Sequence, residues 1–501
     1  MQTILKQLLA AALALSFSTL VVATPDFHDL TQFIQKTKDL SQLQTGTAVA
    51  VVKDGKIIYE SYFGFADINA KKRVDRDTAF YIASTTKPFL ALNVLLKEQA
   101  GQLDTRASLQ TLFPQTKFNG FAAKDVTIKD LLVHTSGIDN QPLVWATAFS
   151  GLHDAHSRNK LVANSYPADK TALGTFNYTN VGYNIVSVWL DQKFGKPWQD
   201  QLKETIFAPL GMTKTSAYIS EAKAKAWPLA KPYSILSRDR NEALYLEKSD
   251  ETMQAAGGLI STAPDLAAFL IAQLDSGKLD GKAVFPSSVI DKSQTSQALT
   301  DGEYLDFKRR AYAWGWYAGE YKGKQMLHHF GSFSGFHAHL SFIPAENVGL
   351  VVLNNEDFLS ARLSSLIADY AYGVVLHEAD INAKLSRRFE DLWAKAAELE
   401  NAVRKEQEKI QRRAWDLSQP HQAYVGKYSN ALLGDMMVTL NDEQKLQIRW
   451  GKLNAVATGY DKKDVVRVEF SPNSGDFLSF VVNEDKVDAI NFEKMHFKKV
   501  L

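Results

Sequence analysis

Two apolar-rich runs flank Asp54-Gly55 in TGTAVAVVKDGKIIYESYFGFA (45–66), an arrangement that predicts a β-hairpin. FYIASTTKPFLALNVLL (80–96) ends in an almost unbroken apolar stretch, which predicts a buried helix. Pro88 falls in its first turn, where a missing N–H costs little. GGLISTAPDLAAFLIAQLDSG (257–277) reads as a loop feeding a helix, capped by Ser261 or Thr262. Strand patterns return in AYAWGWYAGEY (311–321), GFHAHLSFIP (335–344) and VGLVVLNN (348–355), and an apolar helix follows from about Leu359 to Leu376. Residues 125–225 read as mixed helices and loops. Strands at both ends with helices between them predict an α/β (α+β) fold, one sheet assembled from distant segments with a helical insertion.

The texture changes near Ala379. NAKLSRRFEDLWAKAAELENAVRKEQEKIQRRAW (382–415) is charged and free of Gly and Pro. Leu385, Phe389, Leu392, Ala396, Leu399, Val403 and Ile410 form one stripe at three-four spacing. Such a stripe suits either a coiled-coil dimer or a connecting helix lying on its own protein; its short, Ala-rich character favours the second. Beyond Pro420, six short β-like runs start near Tyr424, Met436, Lys445, Val465, Phe477 and Val487, with turns such as Asn441-Asp442 and Asn473-Ser474-Gly475. They predict a small all-β barrel or sandwich. The expected division is 24–380, a connecting helix over 381–418, and a β domain over 419–501.

MQTILKQLLAAALALSFSTLVVA (1–23) carries Lys6 as its only charge, then an apolar run, then small residues ahead of Thr24-Pro25. That is the layout of a secretory signal cleaved after Ala23. The run contains Ser16, Ser18 and Thr19, short and polar for a spanning helix, so no stable membrane span is expected after cleavage. The expectation is export, to the periplasm or outside the cell. The chain of 501 residues holds 57 Lys and Arg against 56 Asp and Glu, which gives no basic face for nucleic acid. It has no cysteine, which excludes a thiolate nucleophile, disulfides and a lipid-attachment cysteine.

Ser84 and Lys87 stand three residues apart at the mouth of the predicted helix. In the bland reading Ser84 caps the helix and Lys87 is solvated. In the sharper one the helix presents a nucleophile beside an amine, since residues three apart share a face and burial drives an amine towards neutrality. Ser-x-x-Lys alone is weak, for it recurs at Ser157 and Ser220 in polar surroundings without an anchoring run. Order along the chain singles out Ser84. Tyr-x-Asn follows at Tyr178-Thr179-Asn180, and His-x-Gly at His329-Phe330-Gly331; LLVHTSGI (131–138) and AGGLISTAPDL (256–266) lie between them.

Together these five signatures, between about residues 30 and 380, resemble the serine β-lactamase and penicillin-binding-protein superfamily. The likeness is greatest to its class C branch of esterases, D-aminopeptidases and DD-peptidases. The resemblance implies a β-lactamase-like antiparallel sheet with flanking helices. It implies Ser84 as the acylated nucleophile and Tyr178 with Lys87 as the proton-transfer pair, the formal base left open between them. An adjacent Lys87 ammonium would lower the Tyr178 pKa from about 10. Asn180 would orient Lys87 and the substrate amide. The backbone N–H groups of Ser84 and Ser332 would form the oxyanion hole, and Gly331 would keep that strand clear. No metal or other cofactor is implied, and His134 is read as structural.

Many relatives carry Lys-Thr-Gly where this chain has His329, Phe330 and Gly331, so binding of a substrate carboxylate is expected to be weakened. Phe330, Phe333 and Phe336 are expected to form an apolar site wall, unless some of them face the core. Tyr428-Ser429-Asn430, out of order, reads as a turn. The second domain resembles the lipocalin-like barrel appended to some members, and oligomers are left open. The leading expectation is an exported serine hydrolase acting on small esters or amides, including those of D-residues. The alternatives are a β-lactamase or DD-carboxypeptidase, and a catalytically idle binding protein.

Overall fold

A computed structural model describes residues 25–40 and 42–500; the expected leader at 1–23 lies outside the described residues. After helix α1 (His28–Leu40), strands β1 (Thr47–Lys53) and β2 (Lys56–Phe63) form the expected hairpin. Asp54 and Gly55 both take positive φ, 50° and 75°, as a two-residue turn matched to strand twist requires. Helix α2 (Lys87–Gln99), helix α3 (Val181–Phe194) and helix α4 (Ala263–Leu274) follow. Thr262 caps α4, its side chain accepting from the Asp265 N–H, with Pro264 in the first turn.

Six further strands complete the main sheet: β3 (Ala298–Tyr304), β4 (Phe307–Tyr312), β5 (Tyr317–Tyr321), β6 (Lys324–Phe333), β7 (Phe336–Ile343) and β8 (Val348–Asn354). The order is β3-β4-β5-β6-β7-β8-β1-β2, antiparallel throughout, and β1 returns beside β8 with Thr47 opposite Asn354. The sheet is thus built from distant segments, as the pattern predicted. Residues 311–321 are not one strand. A tight turn at Ala313–Trp316, with Gly315 at φ 86°, splits them between β4 and β5. The unforeseen β3 is an exposed edge and lacks the apolar alternation that marks a half-buried strand.

Each face of the sheet carries its own core. One buries α2, α3 and α4. The other buries α1, helix α5 (Leu359–Val375) and the start of helix α6 (Ile381–Gln411). Leu385, Phe389 and Leu392 of α6 are buried, and Phe389 stacks on Phe33 of α1 at 5.2 Å. The apolar stripe of α6 therefore lies against its own chain.

Residues 426–499 form a nine-stranded antiparallel sheet in which the first strand (Gly426–Asn430) pairs with the last (Met495–Lys499). The result is a nearly closed barrel around Tyr428, Met436, Ile448, Trp450, Leu478 and Phe497. Three strands beyond the six expected runs, Leu453–Val456, Thr458–Gly459 and Met495–Lys499, are too short or too charged to show in the pattern. The barrel is joined to the rest through Trp145, whose ring lies 4.8 Å from Phe492 and whose indole N–H donates to Glu493 at 3.2 Å.

Phe389→Ala should lower stability by about 3–5 kcal/mol in urea unfolding, as a large buried ring is lost, with the solution mass unchanged. A change of oligomeric state with little loss of stability would instead mark α6 as a partner-facing helix.

Candidate active site

From Thr78 to Leu95 every residue is buried except Ser84. The segment enters through a short pairing of Phe80–Tyr81 with Ile260–Ser261, makes a 3₁₀ turn at Ala83–Thr86, and continues into α2. Phe89 stacks on Phe269 at 3.9 Å and anchors the helix. Ala83 takes a left-handed φ of 46°, an uncommon conformation without glycine that the surroundings must hold. The backbone of Gly331 on β6 supplies part of that hold: a Cβ there would lie 2.0 Å from the Ile82 carbonyl oxygen and 3.1 Å from the Ser84 nitrogen. Ser84 is therefore held in the turn and does not act as a helix cap.

Lys87 is wholly buried. Its Nζ lies 2.8 Å from Asn180 Oδ1, 2.8 Å from the Ala256 carbonyl oxygen and 3.1 Å from Ser84 Oγ. Burial holds its pKa well below the usual lysine value, and no carboxylate offsets that effect. The two carbonyl oxygens can only accept. A neutral amine that donates one N–H to each keeps its lone pair for the Ser84 hydroxyl.

Tyr178 stands over this amine, its ring centroid 4.8 Å from Nζ, and its phenol is within hydrogen-bonding reach of Ser84. The residue is 36% exposed, yet its oxygen is turned into the protein, and burial raises its pKa above 10. The expected fall does not occur, because the neighbouring amine is itself driven neutral. The Tyr178 loop hangs on His134: the Asn177 N–H donates to the His134 carbonyl at 2.8 Å and the Thr179 N–H to its Nδ1 at 3.3 Å.

His329 on β6 is buried and faces Tyr178, Tyr312 and Tyr317, at ring separations of 5.9, 6.1 and 5.6 Å. Its Nδ1 donates to the Phe330 carbonyl at 2.9 Å, which leaves Nε2 as a buried acceptor with no partner. Burial, reinforced by the Arg309 charge, holds its pKa well below 6.5. His329 and Gly331 share the site face of β6, so Phe330 points the other way. It packs into the second core against His339 at 4.6 Å and corrects the expected site wall. Phe333, at the end of β6, lies 5.4 Å from Tyr81 and 3.6 Å from the Lys248 amine. Phe336 is buried behind it, and the Ser332 side chain is exposed.

Ser84, Lys87, Tyr178, Asn180, His329 and Gly331 thus converge from distant parts of the chain, with Ser332 next along β6. A family model described as Beta-lactamase matches residues 30–370. The chain belongs to the β-lactamase family. It is 25% identical over 334 residues to Unguisins hydrolase ungD of Aspergillus violaceofuscus, covering 63% of this chain and 59% of that protein. It is 26% identical over 340 residues to Penicillin-binding protein 4* of Bacillus subtilis, covering 62% of this chain and 68% of that protein. The chain thus spans less than two thirds of the first of these relatives. An octameric penicillin-binding protein homologue from Pyrococcus abyssi shares the fold with a TM-score of 0.61 at 20% identity, covering 95% of this chain and all of that one.

Within this β-lactamase-family site, Tyr183, Tyr312, Tyr317 and Arg309 surround Tyr178 and Lys87 without having been singled out by sequence, and His134, read as structural, packs 4.5 Å from the Tyr178 ring. Aromatic crowding in residues 312–317 was the available signal. The other Ser-x-x-Lys serines are elsewhere: Ser157 completes a capping box with Asp154, and Ser220 is exposed in the first turn of a short helix. Tyr428 is buried in the barrel.

Gly331→Ala should force the strand off the turn and cost about 1–3 kcal/mol in thermal or urea unfolding. Gly302→Ala on β3, where a Cβ meets nothing within 4 Å, should stay within about 0.5 kcal/mol. Equal effects would show that the Gly331 contact is not tight.

Proposed function

We propose that this chain is an exported serine hydrolase that cleaves small esters or amides, including those of D-residues, through an acyl-enzyme on Ser84. Residues 24–380 would form the hydrolase unit, 381–418 the connecting helix and 419–501 the barrel. The observation that carries this reading is the Lys87 amine, buried beside Ser84 with both remaining contacts to carbonyl oxygens. Among the described residues, no helix is long and apolar enough to cross a membrane.

Neutral Lys87 takes the Ser84 proton as Oγ attacks the carbonyl carbon, and the N–H groups of Ser84 and Ser332 receive the developing oxyanion. Tyr178, still protonated, gives its proton to the leaving oxygen or nitrogen and recovers one from the Lys87 ammonium. Water then attacks the acyl-enzyme by the reverse proton route. Asn180 fixes Lys87 through Oδ1 and keeps its NH₂ for the substrate carbonyl. This reading takes Lys87 as the base, supported by its contacts to Ser84 and two carbonyl oxygens and by the opposite shifts, amine down and phenol up.

Ser84→Ala should abolish turnover of p-nitrophenyl butyrate, and Lys87→Ala or Tyr178→Phe should each reduce it by several orders of magnitude, non-additively. Normal turnover in Ser84→Ala would sink the mechanism. In the wild type, kcat/KM should fall on the acid side only as Lys87 takes up a proton, well below the ordinary lysine range. It should fall on the alkaline side only as Tyr178 loses one, above 10. His134 and His329 are held neutral by burial and add no limb near neutrality. An acid limb near 10 would show an ordinary lysine and contradict the base assignment.

A further inference from the structure

Lys248 carries a second enclosed amine, one that the Ser84 mechanism does not use. The residue is half-buried, and its Nζ ends among three rings, 3.6 Å from the Phe333 centroid, 5.1 Å from Tyr81 and 5.6 Å from Phe149. It donates to the Ala148 carbonyl at 2.7 Å, and the Thr252 carbonyl oxygen lies at 3.5 Å. Among the described residues no carboxylate offsets this burial, which holds the amine well below the usual lysine value. Ring faces and one firm carbonyl contact return only part of the hydration that an ammonium loses. A neutral amine gives one N–H to Ala148 and keeps its lone pair.

The surroundings give that lone pair a place to act. Lys248 lines a cavity of about 180 Å³ together with Tyr81, Leu229, Pro232, Ile260 and Phe336, whose walls are chiefly apolar. Other lysines are placed differently. Lys87 is engaged by Ser84, Asn180 and Ala256. Lys38 is buried under the charge of Glu356 and donates to the Thr45 carbonyl. Lys384, at the surface, pairs with Glu378, which favours its ammonium form. A desolvated lysine beside an apolar space is the arrangement in which an amine attacks a carbonyl carbon.

We propose that Lys248 is a reactive amine that captures small apolar aldehydes in this cavity as imines. Its lone pair attacks the aldehyde carbon to give a carbinolamine. The two N–H protons then leave with the former carbonyl oxygen as water, and C=N replaces C=O. Nothing is oxidised or reduced, and the step is reversible. The imine gives up the hydrogen bond to Ala148, so the adduct persists only when it is trapped by reduction. This chemistry is separate from the Ser84 acyl-enzyme and does not rest on it.

Reductive trapping on the full wild-type chain tests it. The protein is incubated at pH 7 with butanal and sodium cyanoborohydride, and butylated lysines are located by peptide mass mapping over time. An ordinary lysine is almost wholly protonated at that pH, so Lys248 should be labelled about tenfold or more faster than Lys384 in the same digest. Glyoxylate, an aldehyde whose carboxylate does not suit an apolar cavity, should lower that preference by about tenfold. Lys248 labelled no faster than Lys384 by butanal would overturn the reactive-amine assignment. An equal preference with glyoxylate would overturn the role of the cavity. Ser84→Ala should be labelled at Lys248 as the wild type is, and loss of the label there would contradict a site separate from Ser84.

Discussion

Enclosing the Lys87 amine with no carboxylate partner sets the character of the whole site. An ammonium there would lose its hydration and meet only neutral partners, two carbonyl oxygens, the Ser84 hydroxyl and the Tyr178 ring, with no carboxylate, so the neutral amine is favoured. Its surroundings follow suit. His134 and His329 are held neutral by burial, while the Tyr178 phenol keeps its proton. A nucleophile, a free base and a protonated acid can then coexist near neutral pH because desolvation moves amine and phenol in opposite directions. The apolar length of α2 produces that desolvation; it does more than anchor a helix.

The second requirement is backbone contact. Ser84 is presented by a turn whose preceding residue is left-handed, and the edge of β6 reaches that turn only because Gly331 has no side chain. The Tyr178 loop is held from the other side by the His134 carbonyl and ring. The barrel bears on the same neighbourhood. Trp145 packs on Phe492, the Ser334 hydroxyl bonds with that of Ser471 at 2.5 Å, and Asn473 donates to Ser234 at 3.2 Å. The C-terminal domain thus contacts the loop that follows β6, just past Phe333.

Ser84 and Lys87 were legible because a three-residue spacing ahead of an apolar run is local geometry. Tyr178, Asn180 and His329 were legible through motif order, which carries identity but no distance. The direction of Phe330 was not: successive strand residues face opposite ways, and the sequence does not say which face of β6 meets α2. Arg309 sits in Lys308-Arg309-Arg310, which reads as a solvated charge run; its isolation depends on Tyr317 and Tyr304 folding beneath it. The Tyr178 pKa was misjudged because the sequence pairs it with an ammonium, whereas the fold pairs it with a neutral amine. Leu385, Phe389 and Leu392, at the start of the α6 stripe, were legible as a buried face because they repeat at helical spacing.

The most direct test of this account is the titration of the Lys87 side chain itself, by NMR of protein carrying ¹³Cε-labelled lysine, with Lys87→Met to assign the signal. The account predicts a resonance that reaches its neutral-amine position at a pH well below the ordinary lysine value of about 10.4. A Lys87 signal that stays with the surface lysines and deprotonates alongside them would contradict it.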